Sequence, residues 1–383
     1  MSRPIRLHLD WAALRHNHAV ARRQAGGAKL WSVLKANAYG HGALPAAQVL
    51  QADADGFAII ELEAALTLRE AGIRQPMLLL EGFYRAEELP LFAAHALTPV
   101  LHAPWQVDAL IAARLPAPLP VYLKVDTGLH RLGLTAAEFA AALSRLRAAG
   151  CAASITVMTH FADADEDRGI DEQLRHLHRI VDGLDLPLSL ANSAALLRFP
   201  ESRGDWARPG IMLYGASPFP ARHSAAALDL QPVMSLRSEL IGVRDLAAGD
   251  RVGYGGTFTA ERPMRIGIVA CGYADGYPRH APTGTPVLVA GRRTRTLGRV
   301  SMDKLCVDLT GIDSVGKKVG VGETARKGEN TIAIGAPVTL WGEGLPADEV
   351  AAAADTVAYE LFCAVMPRVP RVDVSLPSQD TAN

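Results

Sequence analysis

Up to about residue 230 the chain alternates short apolar runs with helix-like stretches, and this alternation narrows the available folds more than any other feature. The apolar runs are residues 30–34, 57–60, 77–80, 97–101, 121–125, 153–158, 186–190 and 211–213. Segments with helical spacing lie between them, at 61–71, 86–94, 105–114, 136–148 and 172–181. Eight strands alternating with helices predict an α/β fold, a closed (β/α)8 TIM-like barrel, better than they fit an open sheet.

From about Pro232 the texture changes. Short β-like runs at 235–243, 264–270, 286–289, 305–309 and 338–341 are punctuated by glycine and proline, as in a mainly β domain. One helical stretch, 347–365, interrupts them, and the polar tail after Asp373 is expected to fray. A chain of 383 residues exceeds one ordinary core. The division expected is therefore a barrel over 1–231 and a mainly β domain over 232–383. The segment 311–331 is rich in Gly, Lys and Glu but holds no GxxxxGK[ST] pattern, so it reads as a surface loop.

Charge and composition exclude several classes. A net charge of −1 and a pI near 6.9 leave no electrostatic footprint for nucleic acid or an anionic membrane. No run of 18 apolar residues predicts a spanning helix, and MSRPIRLHLDW lacks the apolar core of a signal peptide, so a cytoplasmic enzyme is expected. Cys151, Cys271, Cys306 and Cys363 form no CxxC pair, and the histidines form no HExxH. The cysteines read as buried free thiols, and no metal is expected.

The first apolar run leads into VLKANAYGHG, placing Lys35 where a strand ends and a loop begins. Alone, such a lysine reads as solvated surface. Later strand ends deliver more chemistry: Lys124, Asp126 and Arg131 in KVDTGLHRLG, His160 in MTHFADAD, Asn192 and Ser193 in ANSAAL, and Arg208 and Gly210 in ARPGIMLYG. A barrel gathers such residues on one face. Ser193, the Gly210 and Ile211 amides and a tyrosine hydroxyl can receive a phosphate near the late strands. A lysine facing an anion cradle suggests a Schiff base with a phosphorylated aldehyde, as pyridoxal phosphate supplies. No nucleophilic triad, metal cluster or flanking carboxylate pair stands out.

At this point the chain resembles bacterial alanine racemase. The resemblance covers nearly the whole length through VLKANAYGHG, KVDTGLHRLG, THFADADE, ANSAA, RPGIMLYG, RVGYGGTF, GYADGYPR, GRVSMD and TVAYELFCAVMPRVPR, in that order. It implies a homodimer with shared active sites, pyridoxal 5'-phosphate as cofactor, and interconversion of L- and D-alanine. That reaction would serve either D-alanine supply for peptidoglycan or alanine catabolism. It assigns Lys35 as the covalent cofactor lysine and the base on one face of the substrate carbon. Tyr254 becomes the base on the other face, contributed by a second subunit, with His160 and Arg208 assisting it. From spacing alone Tyr254 reads as a turn aromatic.

The resemblance further implies that Arg208 faces the pyridine nitrogen and leaves it unprotonated, because a guanidinium only donates. Tyr39, Ser193, Gly210, Ile211 and Tyr359 match phosphate-binding positions. Arg131 and the Met302 amide would meet the substrate carboxylate, Tyr273 and Asp303 would stand at the substrate entrance, and Lys124 matches a position that is carbamylated in some members. The rival readings are a broader-specificity racemase, a barrel-type decarboxylase using Cys271 or Cys363 as its acid, and a non-catalytic cofactor carrier.

Overall fold

The structure, a computed structural model, describes residues 3–312 and 332–374. Most of the segment expected to loop (311–331) and nearly all of the expected frayed tail lie outside the described residues. By contact density the chain divides into two units, Ala13–Gln231 and a second made of Met1–Ala12 with Pro232–Asn383.

In the first unit eight parallel strands close into a barrel: Lys29–Val33, Gly56–Ile59, Met77–Leu79, Leu97–Leu101, Leu119–Lys124, Ala152–Met158, Leu188–Ser189 and Trp206–Ala207. Three of them, Gly56–Ile59, Met77–Leu79 and Leu97–Leu101, are buried at every position. That explains their continuous apolar spelling, since a parallel strand between barrel interior and outer helices meets no water. The expected eighth strand at 211–213 is a correction. The barrel closes instead through Trp206–Ala207, which pairs with Lys29–Val33, while Ile211–Tyr214 forms a 3₁₀ turn.

The second unit holds an eight-stranded sheet, of which six strands form a ring through pairing of Met234–Leu246 with Met264–Val269. The other two are Arg6–Leu9, antiparallel to Met234–Leu246, and Arg371–Asp373, parallel to Arg6–Leu9. The first twelve residues therefore leave the expected 1–231 barrel: Leu7 and Leu9 bury their side chains in this sheet. The helix expected over 347–365 is two, Ala347–Ala353 and Ala358–Ala364, broken where Asp355 turns to a φ of +54°. No helix among the described residues is long and apolar enough to cross a membrane.

Candidate active site

The turn after the first barrel strand departs from ordinary backbone. Ala36, Asn37, Ala38 and Tyr39 all take φ values of +51° to +54°, a left-handed helical turn built from residues with a Cβ. Each such residue costs about 1–2 kcal/mol against the right-handed form. Specific bonds hold it: Asn37 Oδ1 accepts from the Ala43 amide at 2.8 Å, and the buried His41 donates from Nδ1 to the Ala38 and Tyr39 carbonyls at 3.0 Å each. Carbonyls only accept, so the His41 proton sits on Nδ1. The Tyr214 hydroxyl donates to Val33 O at 2.7 Å, and its ring lies 4.7 Å from that of Tyr39 and 4.6 Å from that of His41. Lys35, half-buried, stands at the head of this turn, whose held backbone sets the direction in which its side chain departs.

Tyr39 reaches Gly210, where a Cβ would stand 2.5 Å from its hydroxyl, so position 210 has no room for a side chain. Ser193 Oγ accepts from the Gly210 amide at 2.8 Å. The Ile211 residue is 1% exposed, and its amide donates to nothing among the described residues. A buried N–H is rarely left so unless a ligand takes it.

Arg208, 4% exposed, is the most tightly held cation of the site. Its Nη1 donates to Ser189 O at 2.6 Å and Ser189 Oγ at 2.9 Å, and its Nη2 to Thr159 O at 2.6 Å and Leu190 O at 3.0 Å. A longer contact runs from Nη2 to His160 Nδ1 at 3.4 Å. Only Nε–H lacks an acceptor among the described residues. Burial lowers its pKa to about 10, which leaves it a cation at neutral pH.

His160 is pushed well below the usual imidazole range, first by burial and then by Arg208, Lys124, Arg131 and Lys35. It is neutral, and because Arg208 can only donate, its Nδ1 accepts and its proton sits on Nε2. These four cations and His160 all lie at or after the carboxyl ends of parallel barrel strands, which places them at one mouth. Lys124 is pushed down to about 8 by burial, then by Arg208 and Arg131. Arg131 is exposed and pairs with no carboxylate among the described residues.

In the second unit Tyr254 tops a hairpin of Arg251–Val252 and Phe258–Thr259, whose base packs Val252 against Ala260, Met264 and Leu297. Arg251 clasps the turn by donating to Gly255 O at 2.9 Å and Gly256 O at 3.2 Å; a Cβ at Gly256 would lie 2.4 Å from that guanidinium. Tyr254 is 72% exposed, Met302 54% and Tyr359 39%. Tyr273 and Met302 are brought together by crossing backbones, with the Tyr273 amide on Ser301 O at 3.0 Å. The Met302 amide has no acceptor among the described residues.

Sequence reasoning missed His41, Tyr214 and Ser189, which hold the functional side chains rather than present them. Only their place inside the motifs VLKANAYGHG and RPGIMLYG, for the first two, signals them. Cys271 is fully buried, Cys151 and Cys306 are half-buried and Cys363 is exposed, so the expectation of buried thiols holds for Cys271 alone.

The sequence matches two family descriptions, "Alanine racemase, N-terminal domain" over residues 9–218 and "Alanine racemase, C-terminal domain" over 233–373. It is 53% identical over 375 residues to the alanine racemase of Nitrosospira multiformis, covering 97% of this chain and 100% of that one. It is 50% identical over 372 residues to the catabolic alanine racemase of Klebsiella aerogenes, covering 97% and 99%. Among solved structures, the biosynthetic alanine racemase from Pseudomonas aeruginosa superposes with a TM-score of 0.90 at 47% identity, covering 97% of this chain and 99% of that one.

Proposed function

This chain belongs to the alanine racemase family, and from that premise we propose that it interconverts L-alanine and D-alanine with pyridoxal 5'-phosphate, as a cytoplasmic homodimer with shared sites. The observation that carries the reading is the grouping of a fixed lysine, an anion cradle and a buried arginine with one free donor at one barrel mouth. The residues present fit the cofactor. The unpartnered Ile211 amide, the Gly210 backbone, Ser193 and Tyr39 would take its phosphate, and Tyr359 matches a further phosphate-binding position of the family. Arg208 Nε–H would meet the ring nitrogen. Lys35 would hold it covalently. When bound, the cofactor withdraws electrons and acidifies the α-hydrogen of the amino acid.

The chain's own groups then divide the work. Arg131 and the Met302 amide bind the substrate carboxylate. Lys35 takes or returns the α-proton on one face, and the partner subunit's Tyr254 does so on the other. Neutral His160 points its Nε2–H away from Arg208, available to steady the charge on that phenolic oxygen. Tyr273 and Asp303 border the substrate entrance. Lys124, with its amine pushed down to about 8, is reactive toward carbon dioxide, and the carbamate would be an anion able to hold Arg131. A carbonyl resonance of the carbamate in protein supplied with ¹³C-bicarbonate, lost in Lys124→Ala, is the expected sign.

The test is exchange of the α-proton of each alanine enantiomer in deuterated water. Two bases predict solvent deuterium in product formed from either direction, and absence of exchange with alanine would overturn the substrate. The decarboxylase alternative, with Cys271 or Cys363 as its acid, is disfavoured because Tyr254 in GYGGTF fits the racemase better, and the Cys271 thiol, pushed far up by burial, is besides a poor acid. Release of carbon dioxide from a basic amino acid would reinstate it.

A further inference from the structure

Asp275 is a carboxylate with 0% exposure that takes no part in the chemistry above. Arg3 grips it with both Nη atoms, at 2.7 Å to Oδ1 and 2.9 Å to Oδ2. Arg368 Nε donates to Oδ1 at 2.7 Å, and the Gly272 amide to Oδ2 at 3.0 Å. Burial pushes this carboxyl up, but the two guanidinium bonds and the amide outweigh it and leave the group below the usual carboxylate range. Four donors on two oxygens leave a charge that is fully compensated.

What this carboxylate ties together is more informative than the pairing itself. It sits in the turn Gly272–Tyr277, next to Tyr273. That turn crosses the Ser301–Met302 backbone so closely that a Cβ at Gly272 would lie 2.2 Å from Ser301 O and 2.3 Å from Met302 O. The Ala274 amide donates to Met302 O at 3.0 Å. On the other side a Cβ at Gly276 would lie 2.3 Å from Ala364 O, at the end of the helix that bears Tyr359, and the Met366 amide donates to Asp275 O at 3.2 Å. Arg368 then carries the link onward, its Nη2 reaching Asp303 Oδ1 at 2.5 Å. One guanidinium therefore spans a buried carboxylate and a half-exposed one that flanks Met302.

We infer that Arg3, Asp275 and Arg368 form a positioning cluster that fixes the Met302 amide and the Tyr273–Asp303 rim for the substrate carboxylate. The inference rests on the reading above, in which that amide is a carboxylate donor. None of the three touches substrate. Their action is geometric: a fork that binds two acids sets the pitch of the 301–304 turn, and an ammonium at position 368 has no second arm to do so. If the cluster only stabilised the fold, its loss would lower melting temperature without changing how alanine is held.

The experiment uses the full-length holoenzyme. Arg368 and Arg3 are 40% and 37% exposed at the side chain, so Arg368→Gln and Arg3→Met remove one arm each without opening a core. Arg368→Gln is expected to raise KM for both enantiomers roughly five- to ten-fold, the loss of one charge-assisted bond's worth of order. kcat stays within about two-fold and the visible absorbance of the bound cofactor is unchanged. Arg368→Lys recovers only part of the KM, and Arg3→Met, which spares the Asp303 link, gives a smaller rise in the same direction. Variants with a lowered melting temperature but wild-type KM, or with kcat reduced at constant KM, overturn the positioning role. Failure of the wild-type protein to exchange the α-proton of alanine overturns the functional reading and this inference with it; wild-type exchange with unmoved KM in the variants overturns this inference alone.

Discussion

Arg208 and Tyr254 belong to the same proposed site and are held in opposite ways. Arg208 is 4% exposed and has five acceptor contacts, all within the barrel. Tyr254 is 72% exposed, and its hydroxyl makes no hydrogen bond among the described residues. The contrast extends to their neighbours: Ser193, Gly210 and Ile211 are buried, whereas Met302 and Tyr359 are open. The barrel's half of the site is oriented during folding, so its charges meet a ligand with little reorganisation. The half carried by the β unit presents aromatic and apolar groups to solvent, as the proposed sharing of sites between two copies requires.

The largest effect that would break this comparison is on catalysis. Lys35→Ala and Tyr254→Phe should each lose at least about a thousand-fold in racemisation, since each removes the base for one face. If sites are shared between two copies, mixing the two dead variants under conditions that permit subunit exchange regenerates intact sites. Random reassociation restores about a quarter of the wild-type sites, because half the dimers are mixed and each has one whole site. No recovery after demonstrated exchange would place Lys35 and Tyr254 of one site on the same chain.

The next effect is on stability. Arg208→Leu orphans the Thr159 and Leu190 carbonyls in the barrel and should cost about 3–5 kcal/mol in urea unfolding. Met302→Ala on the open half should stay within about 0.5 kcal/mol. Similar losses for the two would mean that the halves are equally built in.

Acid sharpens the same contrast. Burial depresses His18, His102 and His160 in the barrel, and His8 in the β unit. A histidine whose folded pKa lies below its unfolded value contributes stability above about pH 6.5 that is lost as pH falls toward the folded pKa. For His18, pushed down to about 4 by burial and Arg22, the loss at pH 5 is roughly 2 kcal/mol. Asp275 is depressed as well, but a carboxylate is affected only below about pH 4. Hydrogen-exchange protection, corrected for intrinsic rates, should therefore fall more in the barrel than in the β unit between pH 7.5 and pH 5. His18→Leu should reduce the barrel's share.

How much of this was legible depended on whether a residue's role is local. The fully buried strands at 57–60, 77–80 and 97–101 were readable because burial on both faces leaves a continuous apolar run. The eighth barrel strand was not, since Trp206–Ala207 pairs over two residues and the stronger apolar run, Ile211–Tyr214, winds into a 3₁₀ turn behind the phosphate cradle. Strand Arg292–Leu297 is polar at five of its six positions and pairs across a sheet that periodicity cannot see. The first twelve residues join the β unit through a pairing more than two hundred residues away. Of the site, Lys35, Arg208 and Ser193 were visible as strand-end residues, whereas Tyr254 has only a glycine-rich turn around it, and its assignment came from the family's motif. The cluster at Asp275 had no local sign at all, because Arg3 and Arg368 approach it from both ends of the chain.

The left-handed turn was equally invisible, since alanine and tyrosine there spell an ordinary helix. It supplies the smallest and most discriminating effect. In a right-handed helix an exposed Ala→Gly change costs about 1 kcal/mol. Ala36 is exposed at a φ of +52°, where the Cβ is the source of strain. Ala36→Gly removes that strain, worth about 1–2 kcal/mol, and gives back about 0.5–1 kcal/mol through the freer unfolded chain. Urea unfolding should then find the variant as stable as the parent or up to about 1 kcal/mol more so. A loss of about 1 kcal/mol would mean that the Lys35 turn is right-handed after all, and that the lysine is aimed by something other than the strained backbone behind it.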